Sequence, residues 1–213
     1  NTVVIDRASQ APVDGRLIAF TQGPGWDAVA AAAEGVYRGV ELRRALTLFD
    51  DALVDIFRVE AKRAVTMDWL LHSLITPARA EGFLPPAGPL HKEGGYQHLR
   101  DLSQREGVRE LSLDWPLGGG RRIRTRLFSD APATAVMGTG IGYQLTDKAP
   151  FVLLSRRGER AVFVAVHDLG VGENVPAEGA VRFEAGGETV VELRRQGRTA
   201  RVRWAGEEVR VGE

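Results

Sequence analysis

The stretch VELRRALTLFDDALVDIFRVE, residues 40–60, decides the fold class. One set of alternate positions is apolar: Val40, Leu42, Leu46 and Leu48. The positions between them are mostly polar: Glu41, Arg43 and Thr47. A period of two is typical of a β-strand with one buried face. We therefore predict strands over 38–49 and 52–60, joined as a hairpin at Asp50 and Asp51.

Further strand patterns lie on both sides of this hairpin. NTVVID at the start of the chain predicts a strand, and AVTMDWLLHSL predicts a third strand of the same meander. Eight short runs in the C-terminal half predict more: REGVRELSLDW, RRIRTRLF, FVLLSRR, RAVFVAVHDL, AVRFEA, ETVVELRR, TARVRWA and EVRVGE. Between them stand glycine turn signals: LGGG, RGE, AGG, QGR and AGE. The alanine-rich run WDAVAAAAEGVY fits a helix or a strand, and the strand-rich context favours a strand for its second half.

Short strands without intervening helices predict an all-β fold, a large antiparallel two-sheet β-sandwich. We expect residues 1–213 to form a single domain of this kind. The exception to its regularity is a proline- and glycine-rich segment over about 76–106, which we predict to be a long loop. Loops of this length in compact domains are usually functional or mobile.

The composition argues against a few classes of function and binding partner. The 28 basic and 28 acidic residues balance, so net charge favours neither nucleic-acid nor membrane-surface binding, and we expect neither partner. Cysteine is absent, which excludes disulfides, thiolate metal ligands and a cysteine nucleophile. No apolar run approaches the roughly 20 residues of a membrane span. Because the chain starts without Met and inside a strand pattern, we expect it to be a piece of a longer polypeptide.

Three motifs in order carry a family resemblance: NTVVID, then YRGVELRRALTLFDDALVDIFRV, then TMDWLLHS. Together they resemble the β-sandwich region of heparinase II/III-like polysaccharide lyases, including the oligoalginate lyases. GERAVFVAVHDL looks like a late strand of that family. The match covers about the first third of the chain well. The resemblance implies an N-terminal α-helical toroid elsewhere in the same polypeptide, and an active-site cleft between toroid and sandwich.

The family's reaction is β-elimination on uronic-acid-containing polysaccharides. It needs a group that neutralises the uronate, a base for the C5 proton and an acid for the leaving O4. By resemblance, Tyr37 is the candidate catalytic residue. A phenol with a pKa near ~10 needs positive charge nearby to act as a base, and Arg38, Arg43 and Arg44 follow it closely. The alternative is a tyrosine packed at a strand start with its hydroxyl in water.

The resemblance also implies a zinc site. His72 would be one ligand, Asp27 another, and the family's histidine before Asn-Thr-Val the third, although that histidine would precede Asn1 and is absent here. The alternative is a structural His72 held by Asp68 or by a backbone carbonyl. We interpret Asp55 and Asp68 as structural carboxylates paired with arginines, with Asp68 also a possible partner of His72.

Other residues could bind the sugar chain, but each also has a simpler interpretation. Tyr96, between His91 and His98, could stack on a sugar, but exposed loop residues are the simpler interpretation. Arg122, Arg124 and Arg126 share a strand face and could meet an acidic chain, although solvated strand arginines are common.

The sequence thus predicts one wall of a lyase cleft for an acidic polysaccharide or oligosaccharide, inactive as an isolated chain and located in the periplasm or outside the cell. The alternative is a non-catalytic carbohydrate-associated sandwich.

Overall fold

The computed structural model describes residues 2–77, 81–142, 144, 146–169, 178–195 and 197–212. Asn1, residues 78–80 of the expected loop and Gln196 of one expected turn lie outside them. The strands of the described residues are β1 Thr2–Ile5, β2 Arg16–Gly23, β3 Trp26–Tyr37, β4 Val40–Phe49, β5 Ala52–His72, β6 Arg100–Gly118, β7 Arg121–Ile141, β8 Lys148–Asp168, β9 Glu178–Phe183, β10 Thr189–Arg195, β11 Arg198–Ala205 and β12 Glu208–Gly212. One 3₁₀ turn, Tyr96–His98, is the remaining regular element there.

These strands form two antiparallel sheets, so the prediction of an all-β sandwich is confirmed. The large sheet has eight strands in the order β2-β3-β4-β5-β8-β7-β6, with β1 also paired to β5. The small sheet has the order β12-β11-β10-β9. The expected hairpin is β4–β5, with Leu48 opposite Leu53. The run WDAVAAAAEGVY is strand throughout. No helix within the described residues is long and apolar enough to cross a bilayer.

Two strands, β5 and β8, each join two runs that the sequence predicts as separate strands. AVTMDWLLHSL is not a third strand of the meander, because β5 continues through it to His72. The RGE signal is not a turn either, since Gly158 lies within β8. The two irregularities face each other: pairing of β5 with β8 shifts register between Glu60 and Val65, where Val65 lies opposite Gly158. Each interruption is a bulge in a continuous strand pair.

One face of the large sheet buries a cluster drawn almost wholly from its own strands. It includes Phe57, Trp69, Trp115 and Phe163, with the rings of Trp69 and Phe163 stacked at a centroid distance of 5.6 Å. Since no second sheet contributes, the large sheet curves around this cluster, which we call the inner cluster. Its large aromatic side chains are dominant contributors to core stability.

Two parts of the chain cover the opposite face of the large sheet: the small sheet and the segment 81–99. Toward the β4–β5 hairpin, the small sheet packs on it through Val191, Val202 and Trp204. Arg58 reaches across this contact: its guanidinium donates to Thr189 Oγ1 at 3.2 Å and to the Trp204 carbonyl, and lies 4.2 Å from the Trp204 ring. Burial lowers the pKa of Arg58 to about 10. A cation stacked on an indole in this way stabilises the contact between the sheets.

Strand β4 shows how burial changes along one strand. Val40, Leu42, Leu46 and Leu48 share one face, as the alternation predicts, but only Val40 and Leu42 are buried. Near the hairpin the buried side is the other one, under the small sheet, where Thr47 is buried. Leu48 is therefore exposed, and the register places Leu17 and Phe20 of edge strand β2, which are also exposed, on the same face. We call this the open face.

The second cover of the opposite face is the segment 81–99, which is shorter than the predicted loop because β6 begins at Arg100. Its Tyr96 is buried in a cluster with Leu70, Phe151 and Leu153. The segment crosses close to the turn after β1, where Asp6 and Arg7 adopt left-handed backbone conformations.

The close approach of these two segments requires Gly94. At this residue φ is 65°, and a Cβ would overlap the Arg7 carbonyl oxygen. Gly95 also has a positive φ, 91°, but a Cβ there would meet nothing within 4 Å. An alanine at either position would strain the backbone, but only an alanine at position 94 would also overlap a neighbouring atom.

We expect Gly94→Ala to destabilise the fold more than Gly95→Ala. Both substitutions force alanine into a left-handed conformation at a cost of about 1–2 kcal/mol, and only Gly94→Ala adds a backbone overlap. The free energies of unfolding in urea measure the difference. Equal losses would show that the contact between Gly94 and Arg7 does not constrain the segment.

Candidate functional site

Tyr37 lies at the end of β3, beside a distortion in its pairing with β4. The register shifts between Glu34 and Tyr37, and both Gly35 and Gly39 have positive φ values. The ring is half-buried against the inner cluster. Its hydroxyl donates to the Ala8 carbonyl at 3.1 Å. The sequence predicts Tyr37 at the start of the strand that follows it, whereas the structure places it at the end of β3.

The electrostatic surroundings of Tyr37 differ from those expected. Burial raises the pKa of the phenol above its ordinary value, and hydrogen bonds with the Ile5 backbone and the Gln10 side chain only partly oppose this. None of these causes is a neighbouring cation. Two of the expected cations are engaged elsewhere: Arg43 Nε donates to Glu41 at 2.7 Å, and Arg44 binds Asp55.

A groove of about 560 Å³ opens on the inner-cluster side of β3, β4 and β5. Tyr37 does not line it but lies beside it, since its hydroxyl is hydrogen-bonded with Gln10, one of the lining residues. Its lining is Thr2, Gln10, Ala11, Pro12, Val13, Gly15, Ala31, Ala32, Ala33, Val36, Leu42, Arg43, Arg44 and Phe57. The Gln10 amide donates to Thr2 Oγ1 at 3.1 Å and to the Val3 carbonyl at 3.2 Å, which fixes its orientation. The groove combines a mostly apolar floor with one amide and two guanidinium groups.

Arg44 is held by a buried carboxylate. Its Nε and Nη2 donate to the two oxygens of Asp55 at 2.9 and 2.7 Å, and Asp55 is buried. The prediction that Asp55 pairs with an arginine is confirmed. Such bidentate pairs are geometrically specific.

A hydrogen-bonded chain of side chains lies close to Asp55. Trp115 Nε1 donates to Thr125 Oγ1 at 2.9 Å, and Thr125 Oγ1 lies 2.9 Å from His167 Nδ1. Burial lowers the pKa of His167, which Arg44 lowers further and Asp55 opposes. His167 is thus a satisfied structural histidine.

Asp68 is the centre of a second polar cluster, on the face covered by segment 81–99. Its carboxylate accepts from Tyr96 Oη at 2.7 Å, from Ser155 Oγ at 2.5 Å and from Arg7 Nε at 3.4 Å. Its partners in the described part of the chain are therefore these three, and not His72 as expected. Burial and the negative charge of Asp68 raise the pKa of Tyr96. The expectation that Tyr96 is an exposed loop residue is wrong, while His91 and His98 are exposed.

The structure does not bring the two expected metal ligands together. Asp27 lies in β3 opposite Leu48, and Leu48 pairs with Leu53 near the start of β5. His72 ends β5, where it lies opposite Phe151 and near its ring, at a centroid distance of 6.0 Å. Because strands rise about 3.3 Å per residue, the two ends of β5 are tens of ångströms apart along the strand.

No three His, Asp or Glu side chains within the described ranges form a metal-binding group. The described residues alone therefore do not fit a complete zinc site, which typically needs four ligands. The zinc prediction remains a prediction that depends on donors from elsewhere. Burial lowers the pKa of His72, which favours the neutral imidazole.

The arginine row of β7 is partly neutralised by one carboxylate, Asp114. Arg124 Nε donates to Asp114 at 2.9 Å, Arg122 lies 3.7 Å from the same carboxylate, and Arg126 donates to the Gly179 carbonyl. These three side chains share a face, as predicted, but Asp114 offsets part of their charge.

Sequence reasoning missed Arg7, Gln10 and Ser155. Arg7 and Gln10 belong to an irregular connection whose path depends on tertiary contacts. Ser155 belongs to no recognisable sequence motif. It takes part in the Asp68 cluster because the pairing of β8 with β5 places it opposite Asp68.

No protein-family model and no curated protein matches this sequence. Among solved structures, the fold is similar to that of a heparinase III, with a TM-score of 0.64 and 10% identity over 96% of this chain. It is also similar to a heparan sulfate lyase from Pedobacter heparinus, with a TM-score of 0.62 and 13% identity over 95% of this chain. The chain spans about 30% of each of those chains. At these identities the likeness establishes the fold: a heparinase-like β-sandwich.

We expect Tyr96→Phe to cost about 1.5–3 kcal/mol of unfolding free energy, because it removes a buried hydrogen bond to a charged carboxylate. Tyr37→Phe is the matched control. It removes a hydroxyl bonded to a neutral carbonyl, and we expect a loss of about 1 kcal/mol or less. Urea denaturation of both variants measures the two costs. A loss in Tyr37→Phe as large as that in Tyr96→Phe would contradict the dominance of the Asp68 cluster.

The lowered pKa of His167 also predicts a pH dependence of stability. Between the unfolded pKa of about 6.5 and the lower folded value, the unfolded state binds more protons. The stabilisation is therefore complete above about pH 6.5 and is lost as the pH falls toward the folded value. His167→Asn should reduce this loss, as measured by denaturation at several pH values across that window. An unchanged slope would mean that His167 does not titrate differently in the two states.

Proposed function

We propose that this chain is the β-sandwich portion of a polysaccharide lyase that cleaves uronic-acid-containing polysaccharide by β-elimination, and that it supplies one wall of the cleft. The observation that carries the proposal is the fold likeness over 95–96% of this chain to two polysaccharide lyases. Their greater length leaves room for the second wall. A periplasmic or extracellular location follows from such a substrate.

Tyr37 acts in this proposal as the proton donor to the leaving O4. Burial raises the pKa of the phenol, so it is protonated at neutral pH, as a general acid must be. The base that takes the C5 proton would then come from the other wall of the cleft. For Tyr37 to act as the base instead, cations from the other wall would have to lower that pKa. In either role the hydroxyl must exchange its bond with the Ala8 carbonyl for one with the substrate.

The groove beside Tyr37 supports binding of a sugar chain. Its apolar floor of β3 alanines and Phe57 suits the less polar faces of sugar rings, and the oriented Gln10 amide offers hydrogen bonds. Arg43 and Arg44 line the same wall, where a uronate would share them with their present partners Glu41 and Asp55.

The open face supports the presence of a covering domain. Leu17 and Phe20 are more than 60% exposed, and Leu48 nearly half, on the same side of the sheet as the groove. Exposed apolar groups that cluster in this way usually mark an interface. We propose that the N-terminal α-helical toroid of the same polypeptide covers this face.

A zinc ion remains part of the proposal only with ligands from outside the described residues. The register sets Thr2 opposite Leu70, so a strand position preceding Asn1 would come opposite His72. A histidine at that position would be a neighbour of His72. Zinc could then polarise groups nearby, but the proposed roles of Tyr37 and the groove do not depend on it.

The test is an ultraviolet absorbance assay for the unsaturated uronate product. The full-length polypeptide is incubated with alginate, heparan sulfate and hyaluronan, with zinc supplied. We expect product from one of these substrates, and a loss of about 100-fold or more in kcat for Tyr37→Phe, as for removal of a general acid. Arg121→Gln, an exposed change distant in the sequence, should leave the rate unchanged.

No product from any substrate with the folded protein would overturn the proposal in favour of a non-catalytic carbohydrate-associated sandwich. Product formation that survives Tyr37→Phe would retain the lyase but remove Tyr37 from the chemistry.

A further inference from the structure

The outer face of the small sheet carries a cluster of arginines. Inward positions of these strands, such as Val191 and Val202, belong to the core between the sheets. Because side chains alternate along a strand, the positions between them point outward. The outward set contains five arginines: Arg182, Arg194, Arg201, Arg203 and Arg210. We call this the arginine face.

The pairing of these strands places like charges side by side. Arg203 of β11 lies directly opposite Arg210 of β12. Arg182 belongs to the same row, on the far side of Val190. Like charges directly opposite each other destabilise a sheet. A sheet under selection for stability alone would carry opposite charges there, so the row points to an anionic ligand.

Four carboxylates pair with these five arginines in the described part of the sheet, and the central one, Glu192, is the most deeply buried. Glu192 lies among three arginines: Arg201 Nε donates to it at 2.9 Å, Arg194 binds it, and Arg182 lies 4.0 Å away. The Glu192 side chain is only 6% exposed, whereas that of Arg194 is 64% exposed. The guanidinium groups therefore form the outermost layer, above a carboxylate shared by three of them.

The remaining carboxylates lie at one end of the sheet. Glu184 is 3.6 Å from Arg182, Glu188 is 3.9 Å from Arg203, and Glu208 accepts from Arg210 at 2.5 Å. Exposed ion pairs of this kind contribute about 0–1 kcal/mol each, so a ligand can replace them at little cost.

We propose that the arginine face binds an acidic polysaccharide chain at a site separate from the groove beside Tyr37. The proposal rests on the proposed function for the choice of a polysaccharide. The planar guanidinium matches carboxylate and sulfate oxygens in a bidentate manner. The outward positions described on this face include no aromatic side chain, whereas proteins that bind single-stranded nucleic acid generally use aromatic platforms. The site would hold the polymer while the groove acts on part of it.

The test measures binding of a heparin oligosaccharide and an alginate oligosaccharide to the chain by calorimetry. The variant is the triple substitution Arg182→Gln, Arg203→Gln and Arg210→Gln, which leaves the partners of Glu192 in β10 and β11 intact. The control is Arg105→Gln, Arg109→Gln and Arg121→Gln, exposed arginines of β6 and β7 that change the net charge equally.

We expect the arginine-face variant to weaken Kd for at least one oligosaccharide by about tenfold or more, equivalent to about 1.4 kcal/mol, and the control by less than about twofold. Salt should weaken binding of the parent chain more than that of the variant. Equal losses in variant and control, or no binding by the parent chain, would overturn the proposal. Equal or tighter binding of single-stranded DNA of matched charge would overturn the choice of a polysaccharide.

Two further results separate this site from the lyase chemistry. Tyr37→Phe should leave binding at the arginine face unchanged, since Tyr37 lies in the large sheet. If the full-length polypeptide forms no unsaturated product but the triple variant still loses binding, the arginine face stands and the lyase proposal fails. If product forms and the triple variant binds normally, the reverse holds. Urea denaturation checks that the variants remain folded.

Discussion

The antiparallel pairing of β5 with β8 is the interaction on which the other parts of this protein depend. It runs from Ala52 opposite Asp168 to His72 opposite Phe151. Both strands are buried on two faces, and they contribute to all three apolar clusters: the inner cluster, the contact with the small sheet and the cluster under segment 81–99. The buried carboxylates Asp55 and Asp68 also lie on β5. Burying them is tolerable only because each is bound by an arginine and further donors or charges.

The sequence predicts the fold well where a local pattern and a turn agree. Examples are the β4–β5 hairpin, which turns at Asp50 and Asp51, and the small sheet, whose strands are joined at glycine turns. It predicts strand length poorly, for a physical reason. The polar residues after Glu60 and the glycine at 158 each resemble a strand end, but in space they lie opposite one another and interrupt a continuous pair. Only the tertiary pairing shows that the two interruptions belong together.

The candidate site shows the same division. The sequence predicts that Tyr37 borders a strand but not that it ends β3. Its pKa depends on burial and on hydrogen bonds with Ile5 and Gln10, which are remote from it in the chain. The arginines expected to activate it bind Glu41 and Asp55, partners that strand pairing selects. The proline- and glycine-rich segment around Tyr96 predicts an exposed loop residue, whereas in the structure the buried Asp68 accepts a hydrogen bond from its hydroxyl inside the protein. The structure thus shows a groove beside a phenol whose pKa is raised by burial; in the proposed lyase, the charges needed for base catalysis would come from another domain.

Strand β2 has a practical consequence for handling this chain alone. It is the outermost strand of the large sheet, so one row of its backbone N–H and C=O groups lacks a neighbouring strand in the described part of the chain. Leu17 and Phe20 of the same strand are exposed. Such an edge is a template for pairing with another molecule. Concentrated preparations of the isolated chain are thus prone to self-association through β2, and a lysine in place of Phe20 is the simplest way to keep them monodisperse.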